Sequence, residues 1–374
     1  MSYSRRDFFC RGVCLAALAV AGTRKQAGAV TRRPGDLIPP READYWESAE
    51  GQRVLCKLCP KECRVDDLER GYCGVRENKG GKYYTHIYGA VCAAHSDPIE
   101  KKPFFHFLPG TTAFSIATVG CNMDCAFCQN WEISQIRPEQ MEVYYMPPDE
   151  VAGYAVTSGD KSIAYTYTEP VIFYEFMYDC AAASRTRGIR NVMVSNGYIQ
   201  EKPLRKLCGV MDGIKIDLKS YREKYYQEIC AGELAPVLDA LQVIRDEGVW
   251  MEIVYLMVPT LNDSEEEIDG LCTWIADKLG ADVPVHFTRF HPQYRLKHLP
   301  VTPLDRLERA LGIAKAKGLH YVYVGNVTGH ESESTRCPAC GNVVVRRVGY
   351  TILEVSLNGG KCAHCGNSIP GVWH

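Results

Sequence analysis

"GCNMDCAFCQNWEIS", residues 120–134, places Cys121, Cys125 and Cys128 within eight positions and supplies no fourth cysteine nearby. Thiolates select zinc, Cu(I) and iron–sulfur clusters. A structural zinc site and an ordinary [4Fe–4S] site both want four protein ligands. Three cysteines on a tight loop hold three corners of a cubane and leave one iron open to a small chelating ligand. Gly120 lets the backbone turn sharply where a strand ends. The competing reading, a helix face carrying buried cysteines, is disfavoured by Gly120, Asn122 and Asp124 at its start.

Outward from this loop the chain is regular from 111 to about 330. Short β-rich runs stand at "FSIATVG" (114–120), "SIAYTYT" (162–168), "NVMVSNG" (191–197), "GIKIDLK" (213–219), "MEIVYLMVP" (251–259), "PVHFTRFH" (284–291) and "HYVYVGN" (320–326). Helical stretches separate them, such as "PPDEVAGYAVTSG" and "TPLDRLERALGIAKAKG". The second has apolar residues at 304, 307, 311 and 314 on one face and Gly318 as a stop. Strand, helix and strand repeated six times predicts an α/β fold with a parallel sheet, a partial (β/α)6 barrel. Such a barrel carries its active site at the carboxyl ends of its strands. Cys121, Glu169, Asn196, Asp217, Lys219 and His291 all fall at such ends. On pattern alone a Rossmann-like sheet also stands, but no G-x-G-x-x-G follows the first strand.

The C-x3-C-x2-C loop, with Phe127 before its last cysteine, resembles that of the radical S-adenosylmethionine superfamily. The resemblance implies that the open iron of a [4Fe–4S] cluster binds S-adenosylmethionine. It also implies that reductive cleavage yields a 5′-deoxyadenosyl radical that abstracts a hydrogen atom from a substrate. "YTYTEP" is similar to the family's Gly-Gly-Glu strand, with Glu169 as the acid and Tyr167 and Thr168 in place of the glycines. Ser195 and Asn196 in "VSNG" resemble a Thr-Asn-Gly element of glycyl-radical activases. Asp217 and Lys219 match their fourth-strand acid and base, and His291 a sixth-strand histidine near the cofactor. Each has a plainer reading: Glu169 capping a helix that starts at Pro170, Asp217 and Lys219 as a structural pair, His291 as a loop residue.

The ordered set "LCKLCPKEC…GYCGVREN", "DPIEKKPFFHFLPG", the three-cysteine loop, "YVYVGN" and "CPACG…CAHCG" resembles, over residues 51–374, the radical enzyme of the AmmeMemoRadiSam system. That resemblance implies Memo-like and AMMECR-like partners. The radical chemistry implies a low-potential electron donor of the flavodoxin or ferredoxin class. Two rival functions stand beside it. One is a glycyl-radical-enzyme activase of the pyruvate formate-lyase activating type, against which the cysteine-rich ends count. The other is a metal-binding scaffold or electron carrier, which needs no polar groups at successive strand ends.

Eleven of the 18 cysteines sit in three clusters, and the outer two flank the core. Cys337, Cys340, Cys362 and Cys365 form two C-x2-C knuckles 21 residues apart, each followed by a glycine. They predict a zinc ribbon, with a rubredoxin-like iron as the alternative. Cys56, Cys59, Cys63 and Cys73 are open between an auxiliary [4Fe–4S] cluster and a second zinc site. A disulfide framework is the remaining alternative for all of them. The isolated Cys92, Cys180, Cys208, Cys230 and Cys272 read as small buried apolar side chains.

The 374 residues are 46% apolar and 24% charged, with a net charge of −2, a balance that gives no support to nucleic-acid binding. No apolar run approaches the roughly 20 residues of a membrane span. The first 29 residues pair Arg5 and Arg6 with a short apolar run and an "AGA" site, the layout of a twin-arginine signal. An uncleaved basic leader is the alternative. The expected organisation is a signal at 1–29, a linker at 30–50, a cysteine-rich module at 51–110, the core at 111–330 and the metal-binding tail at 331–374. The signal implies export or membrane association. The cofactor and reductant are cytoplasmic, so a cytoplasmic location stands as the alternative.

Overall fold

The computed structural model describes residues 30–32, as backbone only, and 38–374; the segment read as a twin-arginine signal, 1–29, lies outside the described residues. The central sheet has eight strands: β1 (Ala93–Pro98), β2 (Thr112–Ala117), β3 (Ser162–Tyr165), β4 (Arg190–Ser195), β5 (Gly213–Asp217), β6 (Trp250–Met257), β7 (Val285–Arg289) and β8 (Val322–Gly325). Their order in the sheet is their order in the chain. β2 to β8 run parallel, and β1 pairs antiparallel with β2 through Ala113↔Asp97 and Ser115↔His95. Six helices fill the six crossovers: α1 (Pro148–Ser158), α2 (Tyr174–Arg185), α3 (Glu201–Cys208), α4 (Ala235–Asp246), α5 (Glu265–Lys278) and α6 (Leu304–Ala316). All seven expected runs are strands of the sheet, which stays open between β1 and β8.

The two-residue period of the strands divides the sheet into unlike faces. Ile116, Ile163, Met193, Ile216, Ile253 and Phe287 pack in one apolar cluster with helix residues such as Val151, Leu207, Leu241, Leu271 and Leu307. Several residues between them on the strands are small or polar, among them Ala113, Ser115, Ala164, Lys215, Glu252 and His286, all buried. That inner face is filled near the amino ends by Phe104 and Phe107 of "PFFHF", which pack with Ala113, Ala164 and Val192. A Cβ on Gly213 would stand 3.1 Å from Phe107 and 3.2 Å from Phe104, so the close approach needs a glycine.

Two differences from the expected organisation have a common cause. Arg41–Glu42 pairs with Lys82–Thr85, and Trp46–Ser48 pairs with Val54–Cys56, so part of the segment read as a linker is sheet. Likewise Ala93–Pro98, from the cysteine-rich segment, is an edge strand of the central sheet. Neither carries a strand signal: Arg41–Glu42 and Trp46–Ser48 are two and three residues long, and the AAHSDP of Ala93–Pro98 has no β-branched residue and no Phe, Tyr or Trp. The module is fastened to α2 by a buried bidentate ion pair, Arg76 Nη2 to both Glu175 oxygens at 2.7 Å.

The tail carries strands β9 (Thr335–Arg336), β10 (Val343–Val348), β11 (Thr351–Val355), β12 (Leu357–Asn358) and β13 (Lys361–Cys362). β10 and β11, the runs VVVRRV and TILEV, pair antiparallel. Cys337, Val344, Cys362 and Ile369 pack on Phe105, Tyr321 and Tyr323, so the tail shares a core with the main body.

Candidate active site

The three-cysteine loop leaves β2 through Gly120, whose φ is +98°. A Cβ there would meet Val75 Cγ1 at 2.7 Å and the Cys73 carbonyl oxygen at 3.1 Å, so glycine is required twice over. The loop returns on itself: Gly120 N donates to Ile133 O at 2.9 Å, from the helical turn Trp131–Ser134. Asp124 N and Ala126 N donate to the carbonyls of Cys230 and Ile229 at 3.0 and 2.8 Å. These carbonyls close a π-helical turn, Tyr226–Cys230.

Each thiol has its own surroundings. Met123 N donates to Cys121 Sγ at 3.4 Å, and Cys128 Sγ lies 3.2 Å from Ser134 Oγ. Burial pushes the Cys121 and Cys128 thiols up. Cys125 is pulled down, first by a hydrogen bond with Cys230, against burial and with help from the Lys219 charge. Cys230 is fully buried, as the sequence suggests, but it is a neighbour of the cluster loop and not an isolated apolar side chain.

Glu169 caps the 3-10 turn that starts at Pro170, accepting from Val171 N at 3.1 Å. It also accepts from Ser195 Oγ at 2.6 Å and from Asn196 N at 2.8 Å. A carboxylate has about four acceptor positions, so one is left over. Burial raises its pKa to about 7 despite these bonds. Asn196 Nδ2 donates to Asn122 Oδ1 at 2.9 Å, and Asn122 Nδ2 donates to Tyr198 O at 2.8 Å. The end of β4 is thereby tied into the cysteine loop through Asn122, a residue to which the sequence assigned no role.

Asp217 lies between two lysines. Lys215 Nζ bonds one oxygen, and Lys219 Nζ is 3.3 Å from the other. Burial opposes the charge on Asp217, but the two cations hold its pKa below the usual range. Lys219 is likewise disfavoured by burial, yet Asp217 and then Cys125 hold it charged. The plain pairing and the placement beside the cysteine loop are both present.

Tyr167 stands where the resemblance expects a glycine, and it adopts the glycine conformation, φ +66°. Non-glycine residues in this region store about 1–3 kcal/mol and persist only where the surroundings hold them. Here Asn130 Nδ2 donates to the Tyr167 carbonyl at 2.6 Å, and its hydroxyl donates to Asp97. Lys102 Nζ stands 4.3 Å from its ring centroid and 2.6 Å from Asp97. Asp97 and Lys102 come from "DPIEKKPFFHFLPG"; the motif was visible, but its approach to β3 was not. His291 follows β7 and is exposed, and no hydrogen bond joins it to this group among the described residues.

The tail thiols converge. The sulfurs of Cys337, Cys340, Cys362 and Cys365 all lie within 4.8 Å of one another, with Cys337–Cys365 at 3.6 Å and Cys340–Cys362 at 3.8 Å. Gly341 N and Gly366 N close matching turns on the carbonyls of Cys337 and Cys362. No disulfide joins the described cysteines of the three clusters.

The sequence profile of the Radical SAM superfamily matches residues 115–272, the span from β2 to α5. An uncharacterized protein of Methanocaldococcus jannaschii is 41% identical over 331 residues, 88% of this chain and 98% of that protein. The benzylsuccinate synthase activating enzyme of Thauera aromatica is 20% identical over 54% of this chain and 62% of its own length. A solved radical SAM methyltransferase from Sphaerobacter thermophilus superposes with a TM-score of 0.47 at 16% identity, covering 63% of this chain and 71% of that one.

Proposed function

The chain belongs to the radical S-adenosylmethionine superfamily and is an enzyme of that class, and from this premise we propose that it abstracts a hydrogen atom from an organic substrate at the carboxyl end of its sheet. The observation that carries the proposal is the meeting of the loop of Cys121, Cys125 and Cys128 with Glu169, Ser195 and Asn196 through Asn122. Three thiols on one closed loop fit a [4Fe–4S] cluster with one open iron. When bound, the cluster and S-adenosylmethionine supply a 5′-deoxyadenosyl radical.

The chain's own residues hold and orient. Glu169 would receive the cofactor's amino group at its remaining acceptor position, pinned by Ser195, Asn196 and Val171 so that no reorganisation is needed. Lys219 would neutralise the cofactor carboxylate, kept charged by Asp217. Tyr167, locked by Asn130 and Asp97, fixes the backbone that leads into Glu169. Phe104 and Phe107 fill the inner face below and keep water from entering there.

The ordered motifs support membership in the AmmeMemoRadiSam group, with Memo-like and AMMECR-like proteins as partners and a flavodoxin- or ferredoxin-class donor as reductant. The twin-arginine layout at Arg5 and Arg6 supports export or membrane association. The likeness to an activating enzyme favours a second reading, in which the substrate is a glycine in a partner protein. Anaerobic reconstitution, reduction with dithionite and quantification of 5′-deoxyadenosine test the first proposal. Turnover is expected; an iron-loaded protein that never cleaves the cofactor would overturn it. Mixing with a glycyl-radical protein and looking for its radical signal decides between the two substrate readings.

A further inference from the structure

We infer that Cys56, Cys59, Cys63 and Cys73 are the ligands of a second [4Fe–4S] cluster, placed directly behind the three-cysteine loop. The four thiols line one cavity together with Arg76, Tyr83 and Asn122. Their spacing separates them from a single-metal site. A tetrahedral zinc with Zn–S bonds near 2.3 Å brings its sulfurs to about 3.8 Å from one another. The tail matches that value. Among the described residues the tail is the group whose ligand atoms gather within 4.8 Å, and the N-terminal four do not gather so. Thiolates that stand further apart around a shared cavity suit a cluster in which each holds a different iron.

A second observation points the same way. Arg76 is 1% exposed, and one of its terminal nitrogens is taken by Glu175 and the other by Asp44 O at 3.2 Å. Its Nε has no hydrogen-bond partner among the described residues. Buried donors are rarely left unpaired, and this one belongs to a side chain lining the thiol cavity. A cluster sulfur gives it an acceptor, and hydrogen bonds to sulfur are one of the means by which a protein sets cluster potential. Gly71 makes room: a Cβ there would stand 2.5 Å from the Tyr83 hydroxyl and 3.6 Å from Cys63 Sγ.

The place of the cavity gives the site its use. Asn122, between Cys121 and Cys125, forms part of its wall, and the Cys73 carbonyl stands 3.1 Å from the Cβ position of Gly120. The two clusters would therefore be neighbours.

The full-length chain carrying Cys121→Ser, Cys125→Ser and Cys128→Ser, reconstituted anaerobically with iron and sulfide, isolates the site. It is expected to hold about four irons and as many acid-labile sulfides, with a [4Fe–4S]+ electron paramagnetic resonance signal after dithionite. This readout needs no cofactor cleavage, so it is separate from the success of the proposed reaction. A chain that instead holds two zinc ions and no labile sulfide overturns the inference. Should the triple variant fail to fold, Cys59→Ser with Cys63→Ser in the otherwise native chain replaces it. There the iron content is expected to fall from about eight to about four per chain with the tail metal retained; a native chain that never exceeds about four overturns the inference equally.

Discussion

The two ends of the central sheet both bury charge, and they do so in opposite ways. At the amino end Glu252, fully buried, accepts from Phe105 N at 2.9 Å, His106 N at 2.8 Å, Trp250 Nε1 at 3.1 Å and His286 Nε2 at 2.7 Å. His106 is held between the Pro370 carbonyl at 2.7 Å and the Tyr323 hydroxyl at 2.6 Å. The chain supplies these partners itself, and they clamp the "PFFHF" segment and the tail onto the sheet. At the carboxyl end Lys219 and Asp217 keep 15% and 29% of their side chains exposed, and Glu169 keeps an acceptor position. A charge buried for structure has its valences filled by the chain. A charge kept for chemistry leaves a valence for something that arrives later.

Substitutions should separate the two ends. The largest effect is expected from Cys125→Ala, which removes an iron ligand from the loop. Production of 5′-deoxyadenosine should be abolished while thermal unfolding changes little, because the loop lies at the mouth of the sheet and not in its core. Undiminished cofactor cleavage would refute the assignment of the loop. Next comes Glu252→Ala, which strands four donors, one of them on the buried His286. It should cost about 3–5 kcal/mol in denaturant unfolding, with iron content per folded chain unchanged. A loss below about 1 kcal/mol, the level of an exposed ion pair, would show the amino end to be less closed than its hydrogen bonds indicate.

Lys219→Ala should be smaller. Loss of a charge-assisted hydrogen bond is worth about 1.5–3 kcal/mol, about a tenfold or greater rise in the dissociation constant of S-adenosylmethionine. Equilibrium binding to the cluster-loaded variant reads it directly, and an unchanged constant would make Lys219 a structural partner of Asp217 alone.

The smallest effects lie in pH dependence, where the two ends have opposite signs. Burial lowers the His106 pKa to about 4, so its contribution to stability is complete above the unfolded value near 6.5 and is lost as pH falls toward 4. Burial raises the Glu169 pKa to about 7, so its contribution is complete below about 4.5 and is lost as pH rises toward 7. At about 1.4 kcal/mol per pH unit, each changes stability by about 2 kcal/mol over 1.5 units. Unfolding of the metal-free protein between pH 4.5 and 6.5 should lose its acid limb in His106→Gln and its neutral limb in Glu169→Gln. Identical pH profiles for the two variants would mean that neither group titrates as its burial requires.

What could be read without coordinates was local spacing. C-x3-C-x2-C and the paired C-x2-C knuckles state their chemistry within a few residues, because a metal site built on one loop needs its ligands at fixed short intervals. The seven strands and helices such as 304–316 were legible from period and from the stop at Gly318, which does have a left-handed φ of 85°. The positions of Glu169, Ser195, Asn196, Asp217 and Lys219 at strand ends followed from the same pattern.

Contacts between distant segments decided the rest. Nothing in the spacing placed Cys230 against Cys125, Asn122 against Asn196, or Asp97 and Lys102 against Tyr167, since these partners are separated by 105, 74, 70 and 65 positions in the chain. A tyrosine in a glycine conformation could be understood only once its hydroxyl, carbonyl and ring were each seen to be held. Spacing allows a single metal at either four-cysteine set, yet among the described residues only the tail's sulfurs gather as a single metal would require. Sequence specifies which ligands are available, and packing specifies how far apart they stand. The number of metal ions a site can hold depends on the second quantity.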